Sequence, residues 1–251
     1  MEERLNKWLS RMGVCSRREA DRLIEAGKVL VDNRPASMGQ KVTPGQKVVC
    51  NGRMVRVDKS RKPRPVLLAV NKPRGIVCTT TDKDRAENIV DFLGYPERIY
   101  PVGRLDKDSE GLLLMTNQGD LVNKIMRSGN AHEKEYIVTI DKPVTEHFLE
   151  QMAGGIRLPE LDQVTRPCKV KKVERNTFSI ILTQGLNRQI RRMCEVCGCQ
   201  VRRLVRVRIM NIRLGNLRTG AYRQITKEEY EELTGLLKDS SSLSIKERKN
   251  R

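Results

Sequence analysis

This sequence predicts an α+β fold: a small basic domain, then a larger domain with a largely antiparallel mixed sheet flanked by helices. Three observations carry that expectation. Apolar runs of strand length come in adjacent pairs, as at Lys47–Cys50 with Met54–Val57 and at Cys168–Val173 with Phe178–Leu182. Helical periodicity separates other runs without the regular strand–helix alternation of a doubly wound sheet. A polar, basic, proline-bearing stretch, Lys59-Ser60-Arg61-Lys62-Pro63-Arg64-Pro65, divides the 251 residues unequally. The expected parts are a domain over 1–60, a linker over 61–65, a larger domain over 66–237, and a basic tail over 238–251 expected to be disordered.

In the small domain, Leu5, Trp8, Leu9 and Met12 recur at helical spacing, so residues 4–12 are expected to be helical. A second helix is expected from Ser16, because Ser16-Arg17-Arg18-Glu19 has the form of a capping box, and Gly27 is placed to end it. Lys28–Asp32 reads as a strand. Asn51-Gly52 between two apolar runs is a strong hairpin signal.

The larger domain opens with an apolar strand over Val66–Val70 and a turn at Asn71–Gly75. A strand over Gly75–Thr79, a helix over Ala86–Phe92 and a strand over Ile99–Val102 follow. The stretch Pro101–Leu121 is the centre of the chain. It carries a short loop, Gly103-Arg104-Leu105-Asp106, then the buried-strand run Leu112–Met115, then a helix over Gln118–Arg127. Asp106 thus sits beside an arginine, on a loop held against a rigid strand, where working side chains are often placed. Strand Glu135–Ile140, helix Thr145–Met152, the strand pair already named, helix Arg188–Cys197 and strand Val201–Ile209 come next. Thr226-Lys227-Glu228-Glu229, a second capping box, starts a last helix running to Leu237.

Charge points to the partner. The chain carries 49 Lys+Arg against 31 Asp+Glu, a net +18, which favours a polyanion and most simply a nucleic acid. Aromatics make up only 4%, which argues against a broad base-stacking sheet. The excess is clustered: between Arg188 and Arg218 stand nine Arg, no Lys and one acid, Glu195. Arg188, Arg191 and Arg192 share one helix face. Arg206 and Arg208 alternate with Val205, Val207 and Ile209, which predicts a basic strand face. Arg188, Arg192, Arg202, Arg206 and Arg208 are therefore expected to contact RNA, since the planar guanidinium pairs bidentately with phosphate.

Other chemistries find little support. Cys194, Cys197 and Cys199 fall short of the four ligands of a structural zinc site, and neither His132 nor His147 has ligand-like spacing, so buried small hydrophobes are the favoured reading. Neither GxxxxGK[ST] nor GxGxxG occurs, so no nucleotide cofactor is expected. Seven cysteines without a regular framework fit reduced thiols in a cytoplasm. No apolar run approaches membrane-spanning length and MEERLNKWLS shows no signal-peptide pattern, so a cytoplasmic protein without a membrane partner is expected, as a monomer.

The order RLNKWLSRMGVCSRREADRLIEAGKVLVDN resembles the S4 RNA-binding domain (α-L type) over about residues 2 to 57. That resemblance implies RNA-backbone contacts at Arg4, Lys7, Arg17, Arg18 and Arg22. The runs GRLDKDSEGLLLMTNQGDLVNKI, HEKEYIVTIDKPVT and QGLNRQIRRMCEVCGCQVRRLVRVRIMNIRLG resemble the RsuA/RluB/RluE/RluF branch of the pseudouridine synthases, and the runs GNAHEKEY and LNRQIRRMCE most resemble the RluF-type enzymes of 23S (large-subunit) rRNA. The match spans about residues 2 to 236. It implies that Asp106 is the catalytic aspartate, Tyr136 the active-site tyrosine and Arg191 the basic partner of the aspartate. It assigns Arg104 to displacing the target base and places Lys72 on the KPxG-type turn at the substrate.

The implied reaction breaks the C1′–N1 glycosidic bond of a uridine, turns the base and rejoins it through C5. The product is an isomer, so no cofactor and no metal is expected. A carboxylate can serve as nucleophile or general base, or can stabilise cationic character at the sugar. The implied partner is large-subunit rRNA, with tRNA as a nearer alternative or additional substrate. A non-catalytic S4-domain factor of ribosome assembly would also explain the charge, but would leave the GRLD and RQIR motifs idle.

Overall fold

The structure, a computed structural model, describes residues 2–55, 64–79 and 86–240. It forms two compact units, Met1–Arg64 and Pro65–Arg251. Most of the expected linker and tail, residues 61–63 and 241–251, lies outside the described residues.

The first unit runs β1 (Glu3–Arg4), α1 (Leu5–Arg11), α2 (Arg17–Glu25), β2 (Val29–Val31), β3 (Arg34–Pro35), β4 (Lys41–Val42), β5 (Val48–Cys50) and β6 (Arg53–Met54). The apolar positions of the two helices, Leu5, Leu9, Ala20 and Ile24, close over Val29, Val31, Val42 and Val48 to give a core of its own. Ser16 caps α2 by accepting from the Glu19 N–H at 3.1 Å, but the Glu19 carboxylate pairs with Arg22, so only half of the expected capping box forms. The sheet order is β3-β2-β5-β6. Asn51 and Gly52 both take left-handed φ values, 50° and 74°, the conformation that a two-residue hairpin loop between right-twisted strands demands.

The second unit runs β7 (Leu67–Lys72), α3 (Ile89–Leu93), β8 (Tyr100–Val102), β9 (Glu110–Thr116), α4 (Gly119–Met126), β10 (Lys134–Ile140), α5 (Glu146–Gly154), β11 (Arg157–Leu158), β12 (Gln163–Val164), β13 (Lys169–Glu174), β14 (Thr177–Leu182), α6 (Gln189–Val196), β15 (Val201–Ile209), β16 (Ile212–Arg213), β17 (Tyr222–Gln224) and α7 (Lys227–Leu236). Its main sheet has the order β13-β14-β10-β15-β9-β7-β17, with β8 added to β9 and β16 to β15. Every pairing in it is antiparallel except β15 with β9, where Arg206 lies opposite Gly111.

Strand β9 is buried on both faces, which is why Leu112–Met115 is unbroken apolar sequence. Leu112 and Leu114 join Leu121 and Ile125 of α4 and Leu233 of α7. Leu113 and Met115, pointing the other way, join Leu68, Val70 and Ile89 of α3. A third cluster packs Val138, Phe178 and Ile180 against Phe148 and Met152 of α5 and Ile190, Met193 and Cys194 of α6. Thr226 accepts from the Glu229 N–H at 3.2 Å while Glu229 accepts from the Thr226 N–H at 3.0 Å, so the second capping box forms completely. Among the described residues no helix is long and apolar enough to cross a membrane.

Two expectations need correction. Gly75–Thr79 is not a strand: Val77 makes a single bridge to Asn88, and Asn88 is the N-cap of α3, so the ladder has nowhere to continue. The regular alternation expected along Val201–Ile209 also breaks. Tyr136 of β10 lies opposite Arg206, and Glu135 lies opposite Arg208, leaving Val207 without a partner on β10. This bulge turns Arg206 and Arg208 to opposite faces of the sheet, so they do not form one basic face.

Candidate active site

The Asp106 loop joins β8 to β9 and is fixed at several points along its length. Leu105 is buried among Ile76, Ile99, Leu113 and Met115, and its N–H donates to Cys78 Sγ at 3.4 Å. The Ser109 N–H closes a turn on the Asp106 carbonyl at 3.0 Å, and the Gly75 N–H donates to the Lys107 carbonyl at 2.8 Å. Lys72, at the end of β7, is fully buried and donates to the carbonyls of Pro73 and Ser109, both at 2.8 Å, and of Lys107 at 3.5 Å. Gly103 starts the loop with φ +77°, and a Cβ there would run into the Met126 side chain of α4.

The backbone is thus held while the carboxylate is left available. Asp106 is half-buried, and its side chain has no hydrogen bond or ion pair among the described residues. Two cations stand near it. Burial lowers the Lys72 ammonium below its ordinary range, and the charges of Asp106 and Asp108 are among those that oppose the drop. Burial and the neighbouring Arg188 lower the Arg191 guanidinium, and the same two carboxylates oppose it. Both cations therefore feel the charge of Asp106.

Tyr136 is half-buried on β10 and packs against two of the clusters, the one under α5 and α6 and the one that holds Leu105. Directly opposite it across β15 is Arg206, then Gly111 of β9, then Lys72 of β7. Residues opposite one another in a ladder share a face, so Tyr136, Arg206 and Lys72 form one row across the sheet.

The expected site residues fare differently. Lys72 lies near enough to Asp106 to feel its charge, Tyr136 packs against the cluster that holds the neighbouring Leu105, and Arg104 is exposed on the same loop. Arg191, in the first turn of α6, reaches the loop through its backbone: Nη2 donates to the Asp108 carbonyl at 3.1 Å and Nη1 to the Val201 carbonyl at 3.3 Å. The direct Arg191–Asp106 ion pair expected from the sequence is not formed in this arrangement. Lys72, expected at the substrate, is turned inward with its ammonium on three carbonyls, because burial leaves the charge no other partners.

The arginine cluster is only partly open. Arg202 is exposed and has no hydrogen bond or ion pair among the described residues, and Arg188 is exposed at the N-cap of α6. Arg192 pairs with Glu160 and donates to the Asn187 carbonyl at 3.1 Å. Arg208 donates to Glu135 at 2.8 Å and to Glu133 at 3.0 Å, and these two acids hold its guanidinium above its ordinary range against the pull of burial. Arg206 is only 1% exposed. Arg192, Arg206 and Arg208 are therefore not presented to phosphate as the sequence led one to expect. The acids that neutralise the cluster, Glu110, Glu133, Glu135 and Glu160, come from elements distant in sequence.

In the first unit, the side chains of Arg4 and Arg18 are exposed and have no hydrogen bond or ion pair among the described residues. Lys7 lies 3.9 Å from Glu3, Arg17 reaches Asn6 at 3.4 Å, and Arg22 pairs with Glu19. Exposed pairs of this kind contribute about 0–1 kcal/mol and are readily exchanged for phosphate. Deleting residues 1–60 should weaken RNA binding and flatten its salt dependence by about 0.7–0.9 in log–log slope per lost phosphate contact. Filter binding over a salt series measures this, and unchanged slope and affinity would show that the first unit does not grip the RNA.

Burial also accounts for the cysteines. Cys194 and Cys199 belong to a hydrophobic core and Cys197 packs on it. Burial is the main force pushing all three thiols up.

Comparison with known proteins agrees with this geometry. Residues 66–196 match the RNA pseudouridylate synthase family, and residues 3–48 match the S4 domain. The chain is 52% identical over 239 residues to the dual-specificity RNA pseudouridine synthase RluF of Escherichia coli strain K12, covering 95% of this chain and 81% of that one. It is 36% identical over 242 residues to the ribosomal large subunit pseudouridine synthase B of Bacillus subtilis strain 168, covering 93% and 96%. A crystal structure of a pseudouridylate synthase superposes with a TM-score of 0.67 at 27% identity, over 92% of this chain and 99% of that one.

Proposed function

The chain belongs to the RNA pseudouridylate synthase family, and from that premise we propose that it isomerises a specific uridine of large-subunit rRNA, with Asp106 as its catalytic residue. The observation that carries the assignment is the state of Asp106. Its loop is clamped by Lys72, Gly75 and Leu105, while its carboxylate is half-exposed, unpartnered among the described residues and near two cations. A group held in place and left without an internal partner is available to a substrate.

The reaction needs little else. The N1–C1′ bond breaks and a C5–C1′ bond forms, and the proton lost from C5 balances the one gained at N1. Asp106 acts at the sugar, as nucleophile, as base or by stabilising developing positive charge. Tyr136, on the row beside the loop, supplies an aromatic surface for the displaced uracil. The base must first leave its stack, at a cost of a few kcal/mol, and the exposed Arg104 is placed to occupy the gap. Arg191 supports the loop and adds positive charge beside the carboxylate. Arg188 and Arg202, with Arg4 and Arg18 of the first unit, are the phosphate contacts.

The substrate class follows the name of the Bacillus relative, and the name of the Escherichia relative favours a second RNA class, for which tRNA is the first candidate. Protein dialysed against EDTA should convert uridine in large-subunit rRNA without any added cofactor, as read by pseudouridine-specific reverse-transcription stops. Tight RNA binding without conversion would instead favour the RNA-binding assembly factor.

A further inference from the structure

We propose that Arg206 is a positioning residue for this reaction, a buried cation that holds the catalytic loop from beneath, rather than an RNA contact. The proposal rests on the pseudouridine synthase reading and assigns the site a residue outside its motifs. Arg206 is 1% exposed in the central strand β15. Its Nε donates to the Leu112 carbonyl at 2.7 Å, and Nη1 donates to the Arg104 carbonyl at 3.5 Å. Both carbonyls belong to the segment that carries Asp106: one lies two residues before it, the other six residues after. Its third nitrogen, Nη2, is buried with no partner among the described residues. A buried guanidinium with an unused donor is costly, so stability alone would not favour it there.

Gly111 makes room for it. A Cβ at Gly111 would meet the Arg206 backbone N at 2.8 Å and Val205 Cγ1 at 2.9 Å, and would overlap the Arg206 carbonyl. With glycine there, at φ +102°, β15 comes close enough to β9 for the Arg206 side chain to reach both carbonyls. The bulge at Val207 then separates Arg206 from Arg208, leaving Arg208 with its two glutamates and directing Arg206 to the row of Tyr136 and Lys72. The loop is thus held from two strands at once, with Lys72 on its Lys107 and Ser109 carbonyls and Arg206 on its Arg104 carbonyl. Arg206 thereby fixes the start of the loop, where Arg104 and Asp106 project.

The test compares Arg206→Met and Arg206→Lys with wild type in the full chain, below the melting temperature of each. Single-turnover conversion at saturating enzyme should fall by about 10²-fold in Arg206→Met, the scale set by a small misplacement of a catalytic group. Arg206→Lys, which can replace one of the two bonds, should recover part of that loss. Filter-binding affinity and its salt slope should match wild type in both. Amide hydrogen exchange at Leu105–Ser109 should quicken in Arg206→Met while β10 and β14 stay protected, and this readout does not depend on which RNA is the substrate. If Arg206→Met does not fold, Arg206→Lys alone carries the test. A wild-type rate with a lower salt slope would make Arg206 a phosphate contact and overturn the proposal, as would unchanged loop exchange. Wild-type protein that converts no uridine, with loop exchange as expected, would defeat the pseudouridine reading and leave the loop-holding role intact.

Discussion

Asp106→Asn should lower pseudouridine formation by about 10³-fold or more, at the upper end of what a single proton-transferring or nucleophilic group contributes. The substitution keeps shape and removes only the charge. Its side chain has no hydrogen bond or ion pair among the described residues, so no internal bond is lost. The loop is held by Lys72, Gly75 and Leu105 through main-chain atoms and apolar packing, none of which involves the carboxylate. The thermal midpoint should therefore hardly move. RNA affinity should also stay near wild type, because Arg4, Arg18, Arg188 and Arg202 are untouched. Single-turnover conversion, filter binding and a melting curve on one preparation separate these effects. Wild-type turnover in Asp106→Asn would move the catalytic role elsewhere.

Arg191→Ala should be the second most damaging change, and it should damage rate, not binding. The variant strips hydrogen bonds from the Asp108 and Val201 carbonyls, each bond to a charged donor being worth about 1.5–3 kcal/mol. It also removes a cation that both Asp106 and Asp108 feel. The loop loses its tie to α6, and a small displacement of a reacting group costs about 10²-fold in rate. Arg191→Lys should recover little, since one ammonium cannot span the Asp108 and Val201 carbonyls as the planar fork does. Arg202→Ala should do the reverse. That side chain is exposed and unpartnered among the described residues, so its loss should weaken affinity and lower the salt slope by about 0.7–0.9 with the saturated rate unchanged. If Arg191→Ala loses affinity and keeps its single-turnover rate, it is a phosphate contact and its support of the loop is refuted.

What could be read from sequence was what depends on near neighbours. The Asn51-Gly52 hairpin and the Thr226–Glu229 capping box are settled within four residues, and both form as the spacing requires. The Asp106 loop was legible because Leu112–Met115 marks a strand buried on both faces, and a loop entering such a strand is held in place. What escaped depends on partners far along the chain. Lys72 looked available to substrate on its turn, but the Lys107 and Ser109 carbonyls that bury it lie 35 and 37 residues away. Arg206 and Arg208 looked like one basic face because alternation assumes a regular ladder. The bulge that separates them is set by the register with β10, and β10 lies far from β15 in sequence. The dense run of arginines seemed to need an external anion, yet Glu110, Glu133, Glu135 and Glu160 neutralise part of it. Gly111 was the one local signal of the Arg206 arrangement, a glycine at the mouth of a buried strand, where close backbone approach is the usual reason.

The most direct test of the central claim is pseudouridine mapping of total rRNA and tRNA from cells with and without this protein, with the Asp106→Asn form as a third arm. The account predicts that a specific large-subunit rRNA uridine is modified only when the wild-type protein is present. It also predicts that the Asp106→Asn arm matches the cells lacking the protein. An identical map in all three arms, with ribosome assembly disturbed only when the protein is missing, would contradict it and make this chain an RNA-binding factor.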